Sequence, residues 1–231
     1  MGLKLTRFSP YHGLMVSTTE FDELIEMLRD FIRREVMPAE AGIDESDEIP
    51  GRLIAQAKEM GLYGYALPAE FGGLGLSVQQ QVLVTMELGY TSPAFRSLFG
   101  TNNGIAGQVL VLAGTEEQRK QWLPRLASGE VVASFALTEP DAGSDPSRLV
   151  TSAVPDPGPD PGPGGGWVID GLKRYITNAP AADIFMVFAR TDLAAPPGKG
   201  IGVFIVPARL AGVSVAARDH KMGQAGAWTA D

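Results

Sequence analysis

The stretch Ala133-Ser-Phe-Ala-Leu-Thr-Glu-Pro-Asp-Ala-Gly-Ser-Asp145 divides the chain. An apolar run from Val131 to Leu137 stops at Thr138, and Glu139 to Asp145 is polar, small and turn-forming. Before it, apolar residues recur at helical spacing; after it, they come in short β-like runs. The stretch thus reads as a domain boundary and as a strand end that displays hydroxyls and backbone N–H groups. The expected fold class is α+β. An all-α helical domain covers 1–130, and a small antiparallel β-barrel or sandwich domain covers 131–231, truncated at its C-terminal edge.

Towards the N-terminus, Phe21, Leu24, Ile25, Leu28, Phe31, Ile32 and Val36 make one face of an amphipathic helix. Thr18 or Thr19 caps its start and Pro38 ends it, followed by an acidic loop from Asp44 to Glu48. Pro50 opens a second helix with Leu53, Ile54, Ala57 and Met60 inward, and Gly61 closes it. Ser77 with Gln80 and Thr115 with Gln118 are capping boxes that open two more helices. A helical stretch from Ala94 to Ala113, broken near Gly104, lies between them. Its polar residues Thr101, Asn102 and Asn103 read first as a solvated helix end.

Towards the C-terminus, Leu149 to Val154, Gly166 to Asp170, Leu172 to Thr177, Asp183 to Thr191, Ile201 to Pro207 and Gly212 to Ala216 read as strands. Pro155 to Gly165 is a Pro/Gly stretch that cannot continue a ladder and reads as a solvated hairpin tip. Gly223 to Asp231 has no closing element, and Trp228 stands near an open terminus.

Composition removes several classes of chemistry. Without cysteine there is no disulfide, no Cys-ligated zinc and no thiol nucleophile. Two histidines, His12 and His220, leave little for a metal centre or triad, and no metal is expected. The net charge of −8 argues against non-specific nucleic-acid binding. No apolar run is long enough to span a membrane. Gly2 formally fits an N-myristoylation pattern, with nothing else to support an anchor, and Met15 is an alternative start. A cytoplasmic protein is expected.

Two segments carry candidate chemistry. Thr138 to Ser144 offers hydroxyls, a glycine that lets a ligand approach the backbone, and N–H donors. These suit a planar heteroaromatic with carbonyl oxygens and a nearby phosphate, although an Asx- or Ser-capped turn accounts for the same residues. In Lys173-Arg-Tyr-Ile-Thr-Asn178 a strand places Tyr175 and Thr177 on one face, a flat wall beside a hydroxyl. An ordinary half-buried strand accounts for that pair equally.

Phe135-Ala-Leu-Thr-Glu-Pro-Asp-Ala-Gly-Ser-Asp145 resembles the flavin-site signature of the acyl-CoA dehydrogenase family. Gly171-Leu-Lys-Arg-Tyr-Ile-Thr-Asn178 is similar to that family's second flavin strand, with Tyr175 where Trp is usual. Pro68-Ala-Glu-Phe-Gly-Gly-Leu-Gly-Leu-Ser77, Gly114-Thr-Glu-Glu-Gln-Arg-Lys-Gln-Trp-Leu-Pro124 and Lys221-Met-Gly-Gln224 stand in the family's order. The resemblance covers about Thr19 to Asp231. It implies FAD as cofactor, an acyl-CoA or other acyl thioester as substrate, an electron-acceptor flavoprotein and an oligomer. It also implies roles. Phe135, Leu137, Thr138, Gly143 and Ser144 would line the flavin, with Leu137 and Thr138 at its pyrimidine side. Ser144 would lie near the pyrophosphate or the substrate's pantetheine arm. Tyr175 and Thr177 would flank the ring, Thr177 close to N5.

Two departures qualify the resemblance. Arg148 stands where the signature has a small residue. The family's C-terminal helical domain, with its catalytic Glu, is absent from the sequence. Glu139, Asp141 and Asp145 therefore invite the role of base, but they read better as shaping the turn, and no catalytic residue is assigned. The expected function is flavin-dependent α,β-dehydrogenation of an acyl thioester, by a fragment or split subunit that lacks the base. The alternative is a non-catalytic flavin- or acyl-CoA-binding module on the same scaffold.

Overall fold

The structure is a computed structural model that describes residues 17–156 and 166–231. Gly2, His12, Met15 and residues 157–165 of the Pro/Gly stretch lie outside the described residues; its first two residues, Pro155 and Asp156, do continue a ladder, paired with Trp167 and Gly166. The chain divides into two compact units. The first comprises the residues up to Val131 together with Gln224–Gly226, and the second comprises Val132–Gly223 and Ala227–Asp231.

In the first unit, helix α1 (Thr18–Phe31) starts at Ser17, one residue before the expected cap. The Ser17 hydroxyl accepts from the Glu20 N–H at 3.3 Å, and the Glu20 carboxylate accepts from the Ser17 N–H at 3.0 Å. The chain does not stop at Pro38. It continues through a π turn (Ile32–Val36) and a 3-10 turn (Met37–Ala39) into α2 (Glu40–Ser46). Pro38 sits in the first turn of a new helical segment, where its missing N–H costs no intrahelical bond. The expected acidic loop is thus largely helix, closed by Asp47 in the left-handed region at φ 54°.

Helix α3 (Gly51–Glu59) follows Pro50, and Gly61 closes it at φ +72°. Helix α4 (Val78–Leu88) carries the Ser77–Gln80 capping box. Helices α5 (Pro93–Gly100) and α6 (Ala106–Ala113) are joined by a π turn (Thr101–Ile105), where a break was expected. Helix α7 (Glu116–Ala127) carries the Thr115–Gln118 box and holds Pro124 inside it. The core joins Leu28, Ile32, Leu53, Leu62, Phe95 and Phe99, each contributing about 1.5–3 kcal/mol by burial. The Phe95 and Phe99 rings meet edge to face, 5.5 Å apart.

Asn102 and Asn103 are fully buried, not solvated. The Asn103 amide donates to the Leu62 and Phe99 carbonyls and accepts from the Ala66 N–H at 3.0 Å. The Asn102 amide donates to the carbonyls of Leu126 and Val131, at 3.1 and 2.8 Å. These side chains satisfy backbone groups that helix ends and loops bring into the core, where water is excluded.

The second unit is built on β1 (Ala133–Ala136), β2 (Ser152–Asp156), β3 (Gly166–Asp170), β4 (Ile176–Thr177), β5 (Ile184–Arg190), β6 (Ile201–Pro207) and β7 (Thr229–Ala230). Its main sheet is mixed, not antiparallel throughout, and it is not a closed barrel. Strand β6 pairs antiparallel along all of β5. The other edge of β5 is shared end to end by two parallel neighbours. Strand β1 pairs from Ala133↔Ile184 to Ala136↔Val187, and β2 pairs only at Ser152↔Arg190. Hairpin spacing favours an antiparallel reading because parallel pairs usually need a helical crossover; here the crossover contains the β2–β3 hairpin instead.

Leu172 to Tyr175 is not strand, and neither is 212–216. The last residues do pair: Thr229 and Ala230 lie antiparallel to Thr177 and Ile176. The stretch expected to hold no closing element thus contributes a two-residue strand.

Candidate functional site

The ladder geometry places the loop. Strand β1 leaves the edge of β5 opposite Val187 and β2 joins it opposite Arg190, so residues 137–151 bulge out of the sheet opposite Phe188 and Ala189. Phe135 packs on Phe188 at that gap, ring centroids 4.8 Å apart. The loop opens with a tight turn in which Glu139 and Ala142 exchange backbone hydrogen bonds of 3.0 and 3.3 Å around Pro140 and Asp141.

Glu139 is 3% exposed. Its carboxylate accepts from the N–H groups of Val150 and Thr151 at 2.6 and 3.0 Å, and from the Lys173 ammonium at 2.7 Å. Burial pushes its pKa up, but hydrogen bonds from Lys173, Thr151 and Val150 outweigh this and hold it below the usual value. Burial lowers the pKa of Lys173 against the opposing pull of Glu139. Lys173 also donates to the Leu137 carbonyl at 3.2 Å. Glu139 therefore closes the loop on itself and on the Lys173 segment, and it is not presented as a base.

The same segment is stitched to the loop a second time. The Arg174 N–H donates to the Thr138 carbonyl at 2.8 Å, and the Ser134 hydroxyl donates to the Thr177 carbonyl at 2.8 Å. Phe135, Leu137, Thr138, Tyr175 and Thr177 are brought together by these bonds. The carbonyls of Leu137 and Thr138 are engaged inside the protein, so these two residues can offer a ligand their N–H groups and the Thr138 hydroxyl.

Tyr175 and Thr177 do not form the regular strand that was expected. Tyr175 has φ 58° and is 59% exposed, and only Ile176 and Thr177 pair. The Arg174 guanidinium lies 4.8 Å from the Tyr175 ring centroid. Gly143 and Ser144 are exposed on the loop. A Cβ added at Gly143 would meet nothing within 4 Å, so no internal packing demands glycine there. That open space is what close approach of a ligand to the backbone requires, and the residues fit a flavin in this respect. Asp145 accepts from the Ser147 hydroxyl and N–H at 2.6 and 3.1 Å, which hold its carboxyl below the usual range. Asp145 thereby caps the short turn Pro146–Arg148, on which Arg148 is exposed.

Lys173 and Asp231 are the residues sequence reasoning missed. Each acts on a partner tens of positions away, and neither has a local signature. In the first unit, Val78, Val82 and Met86 of α4 are exposed beside Tyr65 and Gly104, forming an apolar groove of about 370 Å³. Among the described residues, no group of three or more His, Asp or Glu could hold a metal ion, and no helix is long and apolar enough to cross a membrane.

A helical unit followed by a mixed sheet whose interrupted edge carries this loop matches known proteins throughout. Residues 18–130 match the family model for the acyl-CoA dehydrogenase N-terminal domain, and residues 134–231 match that for the middle domain. The chain belongs to the acyl-CoA dehydrogenase family. It is 35% identical over 214 residues to the 3-(aryl)acrylate reductase of Clostridium sporogenes, covering 92% of this chain and 55% of that protein. It is 35% identical over 207 residues to an acyl-CoA dehydrogenase of Bacillus subtilis, covering 89% and 52%. A glutaryl-CoA dehydrogenase from Mycobacterium smegmatis, solved in complex with FADH2, superimposes with a TM-score of 0.80 at 30% identity, over 93% of this chain and 52% of that one. The chain spans about half the length of the curated relatives it matches.

Proposed function

We propose that residues 133–145 and 173–177 form one wall of an FAD site in an enzyme that oxidises the α,β-carbon pair of an acyl-CoA. When bound, FAD would take up the hydride of that reaction. The Leu137 and Thr138 N–H groups and the Thr138 hydroxyl would hold the polar edge of the ring, and Tyr175 and Thr177 would flank it. Ser144 would meet the pyrophosphate or the pantetheine arm. An electron-transfer flavoprotein would receive the electrons, and a cytoplasmic, oligomeric enzyme is part of the same reading.

The proton-abstracting base is assigned to none of the described residues: the oxygens of the one buried carboxylate of the loop, Glu139, are taken by three donors, which lower its pKa and weaken it as a proton acceptor. The observation that carries the reading is the bond from the Arg174 N–H to the Thr138 carbonyl, which joins the two candidate segments into one surface. The similarity to a 3-(aryl)acrylate reductase supports testing the reverse direction as well, the reduction of an activated double bond at the same site.

The test is absorbance in the flavin bands after reconstitution with FAD, followed by dye-linked oxidation and reduction of acyl-CoAs of graded length. The wall is supported if FAD binds and Thr138→Ala or Thr177→Ala weakens it. Absence of flavin uptake by the chain, alone and in complex with a family C-terminal domain, overturns it.

A further inference from the structure

Tyr175 occupies a conformation that a bulky side chain rarely adopts. Its φ of 58° lies in the left-handed region, and it is neither Gly, Asn nor Asp. Such a residue persists only where its surroundings over-determine it. The Asp231 carboxylate accepts from the Tyr175 N–H at 3.1 Å through Oδ1, and its Oδ2 lies 3.7 Å from the Arg174 guanidinium. That guanidinium sits over the Tyr175 ring. Asp231 is itself fixed. Its carbonyl accepts from the Ala216 N–H at 2.8 Å, and the β4–β7 register of Ile176 with Ala230 sets it opposite Tyr175.

We propose that Asp231 is a positioning residue for the flavin wall: its carboxylate holds Tyr175 left-handed, which aims the ring outward and sets the direction in which Thr177 enters β4. A regular strand through Tyr175 would shift the facing of the residues that follow it. The proposal rests on the reading that Tyr175 and Thr177 face the flavin. It adds an acidic residue 56 positions away to the determinants of that site.

The test uses the full chain and begins without flavin. Amide exchange measured by NMR reads the Tyr175 N–H directly. Asp231→Ala is expected to speed its exchange about tenfold or more, the loss of a charge-assisted hydrogen bond. The Asn178 N–H, which donates to the Trp228 carbonyl, keeps its rate if β7 remains in place. Asp231→Asn, which retains an acceptor oxygen, restores part of the protection. An unchanged Tyr175 rate in Asp231→Ala overturns the clamp.

FAD titration follows. Asp231→Ala is expected to weaken binding about tenfold, and to do nothing further in a Tyr175→Gly background, where the left-handed conformation needs no support. Unchanged FAD affinity in Asp231→Ala, with Tyr175→Ala weakening binding, overturns the positioning role. Unchanged affinity in both Thr138→Ala and Thr177→Ala overturns the flavin reading and this proposal with it. The Tyr175 exchange rate tells the two failures apart.

Discussion

Lys173 and Glu139, 34 residues apart in sequence, form a buried ion pair with Nζ 2.7 Å from Oε1. The pair ties the candidate loop to the segment that leads into Tyr175. Because Glu139 also receives two backbone N–H groups, its charge is satisfied from the loop as well as from Lys173.

Removing one member alone leaves the other charge buried. Lys173→Met is expected to destabilise folding by about 3–5 kcal/mol, and Lys173→Met with Glu139→Gln by clearly less. Urea unfolding followed by circular dichroism measures these two and Glu139→Gln alone; a double loss equal to the sum of the two single losses would show that the pair is not coupled.

The same carboxylate sets a pH dependence. Its folded pKa is below the ordinary value, so its contribution is fully present above the unfolded pKa of about 4.3. That contribution is lost as pH falls through the lower folded value. The parent's melting temperature should therefore fall more steeply than that of Glu139→Gln below about pH 4. Parallel melting curves for the two proteins would contradict this.

Gly143 separates binding from folding. With nothing within 4 Å of an added Cβ, Gly143→Ala should change stability by less than about 0.5 kcal/mol. FAD affinity should nevertheless drop, because the methyl group enters the space assigned to the ligand. Calorimetry and flavin titration on the same samples check the two halves; a strong loss of stability would show that the loop is packed more tightly than the geometry indicates.

Asn103 tests the buried amides. Asn103→Ala leaves the Leu62 and Phe99 carbonyls and the Ala66 N–H without their partner. The expected loss is more than about 2 kcal/mol by denaturant unfolding. Gln80→Ala, at an exposed capping box, should cost about 0.5–1 kcal/mol by comparison.

Most of the helical unit was legible because its signals are local. Ser77 with Gln80 and Thr115 with Gln118 open helices at the expected residues, and strand Ile201–Pro207 has the bounds its β-branched run implies. Elsewhere local signals misled. Pro38 reads as a terminator, yet the chain re-enters a helix with the proline in its first turn. Asn102 and Asn103 read as solvated because polarity is visible in sequence, while the carbonyls they serve, at Leu62 and Leu126, are far along the chain.

At the candidate site, residue types were readable and their conformations were not. Tyr175 and Thr177 look like alternate residues of one strand. The left-handed turn at Tyr175 depends on Asp231, and the parallel pairing of β1 depends on where the chain returns after a hairpin. Neither dependence leaves a trace within a few residues.

The helical unit is discontinuous. Its final piece, Gln224–Gly226, follows the whole main sheet in sequence, and the Gly226 N–H donates to the Asp47 carboxylate at 2.7 Å. Gly226 has φ +85°, and a Cβ there would come within 2.9 Å of Ile43 and 3.0 Å of Ile49. During synthesis the helices therefore emerge long before this plug exists. The faces of Ile43 and Ile49 that Gly226 touches are sealed only after the main sheet has been made.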